Sequence, residues 1–164
     1  MVFRESFKLQ SRDRAVSFHD VTDKVKELAA KSGIKNGIVV VYSHHTTCSV
    51  ITQECAFDMS MTGLETLQQD LVNVFEEWIP TCRYEGMYLH PGHEALVFAE
   101  EHGEDNFGCH NTDAHLRSSI IGRNVTIVMA DGEMDLGEFG RIHFIDWDQT
   151  RARQRTVQVM IIGE

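Results

Sequence analysis

Two adjacent imidazoles, His44 and His45, head a run of hydroxyl and thiol side chains, Thr46-Thr47-Cys48-Ser49, that closes on the acid Glu54. Neutral imidazole binds a divalent metal or exchanges a proton near neutral pH, and a carboxylate can orient either. An apolar stretch from Gly37 to Val41 precedes the run and reads as a buried strand. From Thr47 the residues alternate, with Cys48, Val50 and Thr52 on one side and Ser49, Ile51 and Gln53 on the other. That period predicts a second strand ending at Glu54. Consecutive side chains of an extended backbone point to opposite sides, so His44 and His45 are not expected to share one metal.

Nine histidines invite a metal hypothesis, yet none of their local spacings matches a zinc signature such as HExxH. His19 and His143 fall in or beside predicted strands and read as structural. His90 stands just before Pro91, and His115 lies among polar residues of a predicted helix. Beside it, Arg117, Ser118 and Ser119 supply a cation and two hydroxyls, a set suited to phosphate; the same spacing fits the polar face of a helix. Arg151, Arg153 and Arg155 alternate in an otherwise acidic chain, either as anion ligands or as a charged strand edge. GxSxG, phosphate-loop and dinucleotide fingerprints are all missing.

These residues are carried by a chain of 164 residues, read as a single domain over 1–164 with one core. A formal charge of −10 opposes nonspecific nucleic-acid binding, which needs a surplus of Lys and Arg. No apolar run approaches the ~20 residues of a membrane helix. The charged start, Met1 to Arg14, lacks a signal-peptide core, which makes a cytoplasmic protein the expectation. Cys48, Cys55, Cys82 and Cys109 show no CxxC spacing and read as reduced, structural thiols.

Hydrophobic spacing predicts the order of elements. Val2 to Leu9 alternates as a strand, and Asp20 caps a helix through Val21, Val25, Leu28 and Ala29 that stops near Gly33. Strands follow over Ile34 to His44 and Thr47 to Glu54. Ala56 to Ile79 reads as mostly helical, with Leu64, Leu67, Leu71, Val74, Phe75 and Trp78 on one face and Gly63 separating a front turn. Cys82 to Leu89 is expected to be extended, Pro91 to Gly108 a long loop with one short helix, and Asn111 to Ile121 a helix stopped by Gly122. Four strands close the chain: Asn124 to Ala130, Glu133 to Leu136, Arg141 to Trp147 and Arg155 to Ile162. Asp131-Gly132 is a hairpin turn between the first two. Apolar residues on both sides of Ile142 to Ile145 and of Val157 to Ile162 call for a second layer or a neighbouring subunit.

Several short motifs, in order from end to end, resemble the YjbQ-like family. They are His45-Thr46-Thr47-Cys48-Ser49 with Gln53-Glu54; Asp70; Tyr88-Leu89-His90; Ala114-His115-Leu116-Arg117-Ser118-Ser119 with Gly122; Gly132; Leu136-Gly137; and Arg153-Gln154-Arg155-Thr156-Val157 before Gly163-Glu164. The resemblance implies an α+β fold, a mostly antiparallel β-sandwich-like core with flanking helices, assembled as a homotrimer with a polar site near subunit boundaries. His45, His90 and His115 would be its imidazoles and metal ligands, with His102 or His110 as alternatives to His90, and Glu54 and Asp70 nearby carboxylates. Three imidazoles suit zinc, while a pyrophosphate substrate suits magnesium. Arg117, Ser118, Ser119 and Arg153 would hold phosphate.

The family is associated with a secondary thiamine-phosphate synthase activity, which joins a pyrimidine pyrophosphate to a thiazole phosphate and expels pyrophosphate. The resemblance thus implies a metal-supported transferase acting on small phosphorylated metabolites. The alternatives are a metal-dependent hydrolase and a noncatalytic trimer that binds a metal or an anion. The chain departs from the family pattern between Glu54 and Asp70, over Pro91 to His110, at Gly137-Glu138-Phe139-Gly140, and at Asp148-Gln149-Thr150-Arg151-Ala152-Arg153. Departures at ligand-touching positions would change the substrate.

Overall fold

Alternating apolar residues drive the larger of two sheets together in the computed structural model, which describes residues 1–164 apart from the side chain of Asn106. Strands β1 (Val2–Gln10), β2 (Ser17–Asp20), β3 (Gly37–Tyr42), β4 (Cys48–Glu54), β5 (Asn124–Ala130), β6 (Glu133–Met134), β7 (Gly140–Asp146) and β8 (Gln154–Gly163) form two antiparallel sheets. One has the order β1-β8-β3-β5-β6 and the other β2-β7-β4. Val39 and Val41 of β3, Val157, Val159 and Ile161 of β8, and Ile127 and Met129 of β5 all face one core. Opposite them stand Cys48 and Val50 of β4 and Ile142 and Phe144 of β7. Helix α1 (Thr22–Ser32) closes this core with Val25, Leu28 and Ala29, and ends where Gly33 adopts the left-handed conformation. The fold is the α+β, curled antiparallel arrangement with flanking helices that the resemblance implied.

The smaller sheet is covered on both faces within one chain. Its second face, carrying Phe18, Ile51, Ile145 and the following Trp147, packs against Phe75 of α2 (Thr66–Trp78), the capping residue Ile79 that follows it, and Ala114 from α4 (Thr112–Ile121). The apolar residues on both sides of β7 are therefore buried without a neighbouring subunit. The outer face of the larger sheet is different. Val2, Ile162, Ile38 and Val128 lie side by side across β1, β8, β3 and β5 in direct register, and all four are exposed.

Four further expectations change. The helix expected from Ala56 begins only at Thr66, where Glu65 and Gln68 form a reciprocal capping box that fixes its start. Its buried side carries Gln68 and Phe75, whereas Leu67, Val74 and Trp78 face outward, Trp78 at 71% exposure. Cys82 to Leu89 forms turns, pinned by the Tyr88 hydroxyl donating to the Pro80 carbonyl, and not a strand. The four-residue β2 pairs with β7 through Ser17–Asp146 and is too short to give a period in sequence. Pro91 to Gly108 holds helix α3 (His93–Glu101) and a 3-10 turn over Asn106–Cys109. The Asp131-Gly132 turn is as expected, both residues having the positive φ that a tight hairpin requires.

Candidate active site

The β3–β4 connection bends sharply, and the bend builds the centre of the site. Ser43 is buried and its Oγ accepts the His45 backbone N–H at 3.1 Å, while the His45 carbonyl accepts the Cys48 N–H at 3.2 Å. This compact turn breaks the extended geometry that would have sent His44 and His45 apart. Their rings lie 4.1 Å apart, centroid to centroid, and both line a cavity of about 500 Å³. The sequence expectation of two imidazoles on opposite sides is corrected accordingly.

Each imidazole in the cavity has its own anchor. His45 Nε2 accepts the backbone N–H of Thr156 from β8 at 2.9 Å, and His44 Nδ1 lies 2.8 Å from Gln158 Nε2. An amide N–H can only donate, so Nε2 of His45 holds a lone pair and the neutral ring carries its proton on Nδ1. Burial, the Arg155 guanidinium and His44 together push the His45 pKa down to about 4, with Asp146 opposing them. His115, on α4, is lowered too, first by burial and then by His90. The Thr46 backbone opposes that shift. The rings of His90 and His115 meet edge to face at 5.6 Å, and the Thr112 hydroxyl donates to the His90 carbonyl.

A cationic wall faces the histidines. Arg155 is buried and forks onto Asp146, with Nε to Oδ2 at 2.7 Å and Nη2 to Oδ1 at 3.1 Å, while Nη2 also donates to Thr47 Oγ1 at 3.1 Å. Asp148, 3.8 Å from the same guanidinium, accepts from Asn111 Nδ2 at 3.1 Å. Nearer the cavity mouth, Arg151 and Arg153 share one carboxylate, Glu104, at 2.7 and 3.4 Å. Two guanidiniums on one exposed carboxylate leave a net positive charge where an anion can enter.

The sequence-predicted residues divide sharply. His45, His90, His115 and Arg153 line this cavity. Glu54 lies at the other end of β4, lining a separate cavity with Phe139 and Gly140, and Asp70 is exposed on α2. Arg117 is fully buried, donating to the Ile79 carbonyl at 2.7 Å and to Glu76 at 2.9 Å against the Trp147 ring. Ser118 donates to the Cys48 carbonyl at 2.6 Å, and Ser119 to the His115 carbonyl at 2.8 Å. Successive helical residues fan out by about 100°, so a helix that aims His115 at the cavity turns Arg117 and Ser118 into the protein. His102 is exposed and stacked on Phe98, and His110 lines a neighbouring cavity, so neither replaces His90. Asn111, Asp148 and Glu104 escaped the sequence reading, because partners 37 or 47 residues apart share no local spacing.

The three histidines gather without forming a metal tripod. Among the described residues, no group of three or more His, Cys, Asp or Glu side chains is placed to hold one ion. The reason is visible at His45, whose Nε2 is already committed to the Thr156 amide. The arrangement does not fit a three-imidazole zinc centre, and its chemistry is that of imidazole and guanidinium.

Comparison with known proteins places this chain in a family. The model of the family described as "UPF0047 protein YjbQ-like" matches residues 5–164. A UPF0047 protein of Methanothermobacter thermautotrophicus is 30% identical over 158 residues, covering 96% of this chain and 92% of its own. The UPF0047 protein YugU of Bacillus subtilis is 25% identical over 153 residues, covering 93% and 94%. Among solved structures, a hypothetical protein from Aeropyrum pernix K1 superposes with a TM-score of 0.73 at 30% identity, covering 99% of each chain. A yjbq/upf0047 family protein from Clostridium acetobutylicum superposes at 0.71 with 23% identity, covering 96% of this chain and 99% of that one.

Proposed function

The chain belongs to the UPF0047 protein YjbQ-like family, and from that premise we propose an enzyme that binds a small phosphorylated metabolite in the His45–His90–His115 cavity and displaces its phosphate or pyrophosphate. The observation that carries the reading is the opposed setting of two neutral imidazoles beside a pair of guanidiniums. His45 offers an Nδ1–H fixed by its bond to Thr156, and His115, its pKa lowered by burial and by His90, offers the lone pair of a neutral ring. Arg151 and Arg153 neutralise the phosphate oxygens, and the leaving oxygen takes its extra charge toward them as its bond breaks. His45 donates a hydrogen bond to that oxygen, and when water attacks, His115 accepts its proton. When a thiazole nitrogen attacks with its lone pair, no proton is released and His115 only lines the nucleophile's side of the cavity.

The most concrete form of this reading is thiamine-phosphate-synthase-like transfer, in which pyrophosphate leaves; with water as the nucleophile the same site would hydrolyse. The second reading, a noncatalytic anion-binding protein, is supported by Arg151 and Arg153, whose two charges are answered by the single carboxylate Glu104. In either reading we propose a homotrimer, supported by the exposed apolar row Val2–Ile162–Ile38–Val128. The test is pyrophosphate release from a pyrimidine pyrophosphate with thiazole phosphate, and separately with water. Turnover that falls at least tenfold in His115→Ala, with pyrophosphate binding retained, supports the enzyme. Binding without turnover in either assay leaves the noncatalytic reading. Failure to bind pyrophosphate removes both.

A further inference from the structure

A second cavity, of about 480 Å³, shares Asn111 with the first. Two short segments form the wall between them. Along the first segment, Phe107 and His110 line the second cavity while Gly108 and Cys109 line the first. Along the second, Gln149 and Thr150 line the second cavity while Asp148 and Arg151 line the first. The bond from Asn111 Nδ2 to Asp148 Oδ2, 3.1 Å, ties the two segments together.

The chemistry of the two cavities is not alike. The first is lined by arginine and histidine, and the second by acceptor oxygens and a flat aromatic surface. Asp113 is 3% exposed; its Oδ1 takes the Cys82 N–H at 3.1 Å, and its Oδ2 stands 3.9 Å from Arg117, beyond hydrogen-bond reach. Nη1 of that buried Arg117 has no partner among the described residues. Gln149 donates from Nε2 to Thr81 at 3.1 Å, which commits the amide nitrogen and leaves the oxygen to accept. The rings of Phe107 and His110 are inclined by only 19°. Arg14 in the lining and Arg117 behind Asp113 offset the carboxylate, which disfavours a cationic ligand.

We propose that this second cavity binds a neutral, planar heteroaromatic bearing an amino group, stacked on Phe107 and donating to Gln149 and Asp113. Burial raises the Asp113 pKa, with the Cys82 amide and Arg117 opposing. The inference is independent of what the first cavity does, although a ligand here would sit one loop away from an anion there.

Adenine, with purine as the analogue lacking the amine, is the probe, followed by chemical-shift changes of the intact protein. Adenine is expected to shift the 107–111 and 148–150 segments, and to bind roughly tenfold more tightly than purine because an unmet acceptor costs about that much. Phe107→Ala, at an exposed ring whose removal leaves the core untouched, should weaken adenine about tenfold and leave pyrophosphate binding unchanged. Arg153→Ala should do the reverse. Equal affinity for purine and adenine, shifts outside these segments, or an unaltered adenine affinity in Phe107→Ala overturns the proposal. Loss of pyrophosphate binding alone bears only on the first cavity.

Discussion

The backbone N–H of Thr156 donates to Nε2 of His45 across 111 residues of sequence, at 2.9 Å. This one bond fixes the ring, its tautomer and the face it turns to the cavity. It also makes the ring sensitive to acid.

Protonating His45 would place a second hydrogen against the Thr156 amide and a charge beside Arg155. Its folded pKa, about 4, lies below the ordinary 6.5. The unfolded chain therefore takes up the proton first as pH falls, and stability drops from about pH 6.5 down to about 4 and then levels. His19, His115 and His143 are lowered as well and act in the same direction. His45→Gln keeps an acceptor for Thr156 and removes one titration. Thermal melts between pH 4 and 7 should show a shallower acid slope in this variant; an unchanged slope would assign the effect to the other three.

Zinc taken up on titration should be held through His90 and His115. His115→Ala is then expected to lower zinc affinity roughly tenfold or more, the scale of losing a ligand or its orienting group, with His45→Ala near wild type. Calorimetric zinc titration, with elemental analysis of the purified protein alongside, makes the comparison. Equal losses in the two variants would mean that His45 gives up Thr156 for the ion.

Removing the Glu104 carboxylate frees Arg151 and Arg153 for an external anion. Glu104→Gln should tighten pyrophosphate binding several-fold at low salt, and the gain should shrink as added salt screens the arginines. An affinity lowered by this substitution would show that Glu104 helps hold the ligand.

Arg155 is buried with its charge answered by Asp146. Arg155→Ala leaves that carboxylate, itself fully buried, without its partner, at a cost of about 3–5 kcal/mol. Denaturant unfolding should register this loss, and Arg155→Lys should recover only part of it because an ammonium cannot fork onto both oxygens.

The row Val2–Ile162–Ile38–Val128 is apolar and exposed across four adjacent strands. Light scattering at micromolar concentration is expected to give a trimer, and Ile38→Glu to reduce it to monomer without loss of circular dichroism. A monomeric wild type would remove the assembly from the proposal.

Much of the fold was legible because it is written in local periods. The alternation of Val39 and Val41, or of Val157, Val159 and Ile161, marks strands directly, Gly33 and Gly122 mark the ends of helices, and Asp131-Gly132 marks a hairpin turn. Helix α2 shows where the period falls short. It carries apolar residues on two sides, and only the packing of Phe75 against Trp147 decides that Trp78 is the one left outside. At the candidate site, motif matching pointed to His45, His90 and His115, which line one cavity, and to Arg117 and Ser118, which are close to His115 in sequence and on other faces of the helix in space. The bend at Ser43 that joins His44 to His45 depends on a side chain-to-backbone bond that no pattern of hydrophobicity encodes.

The position of β8 in the larger sheet bears on how the protein is made. It lies between β1 and β3, yet it follows all the other strands of the two sheets in sequence. Until it emerges, β1 has no neighbour, β3 has one bare edge, and His45 lacks the amide that holds its ring. Vectorial synthesis at roughly 5–20 residues per second therefore keeps two strand edges unpaired while the chain from β4 to β7 is translated. The His45 ring is thus seated by a strand that follows all the other strands of both sheets in sequence.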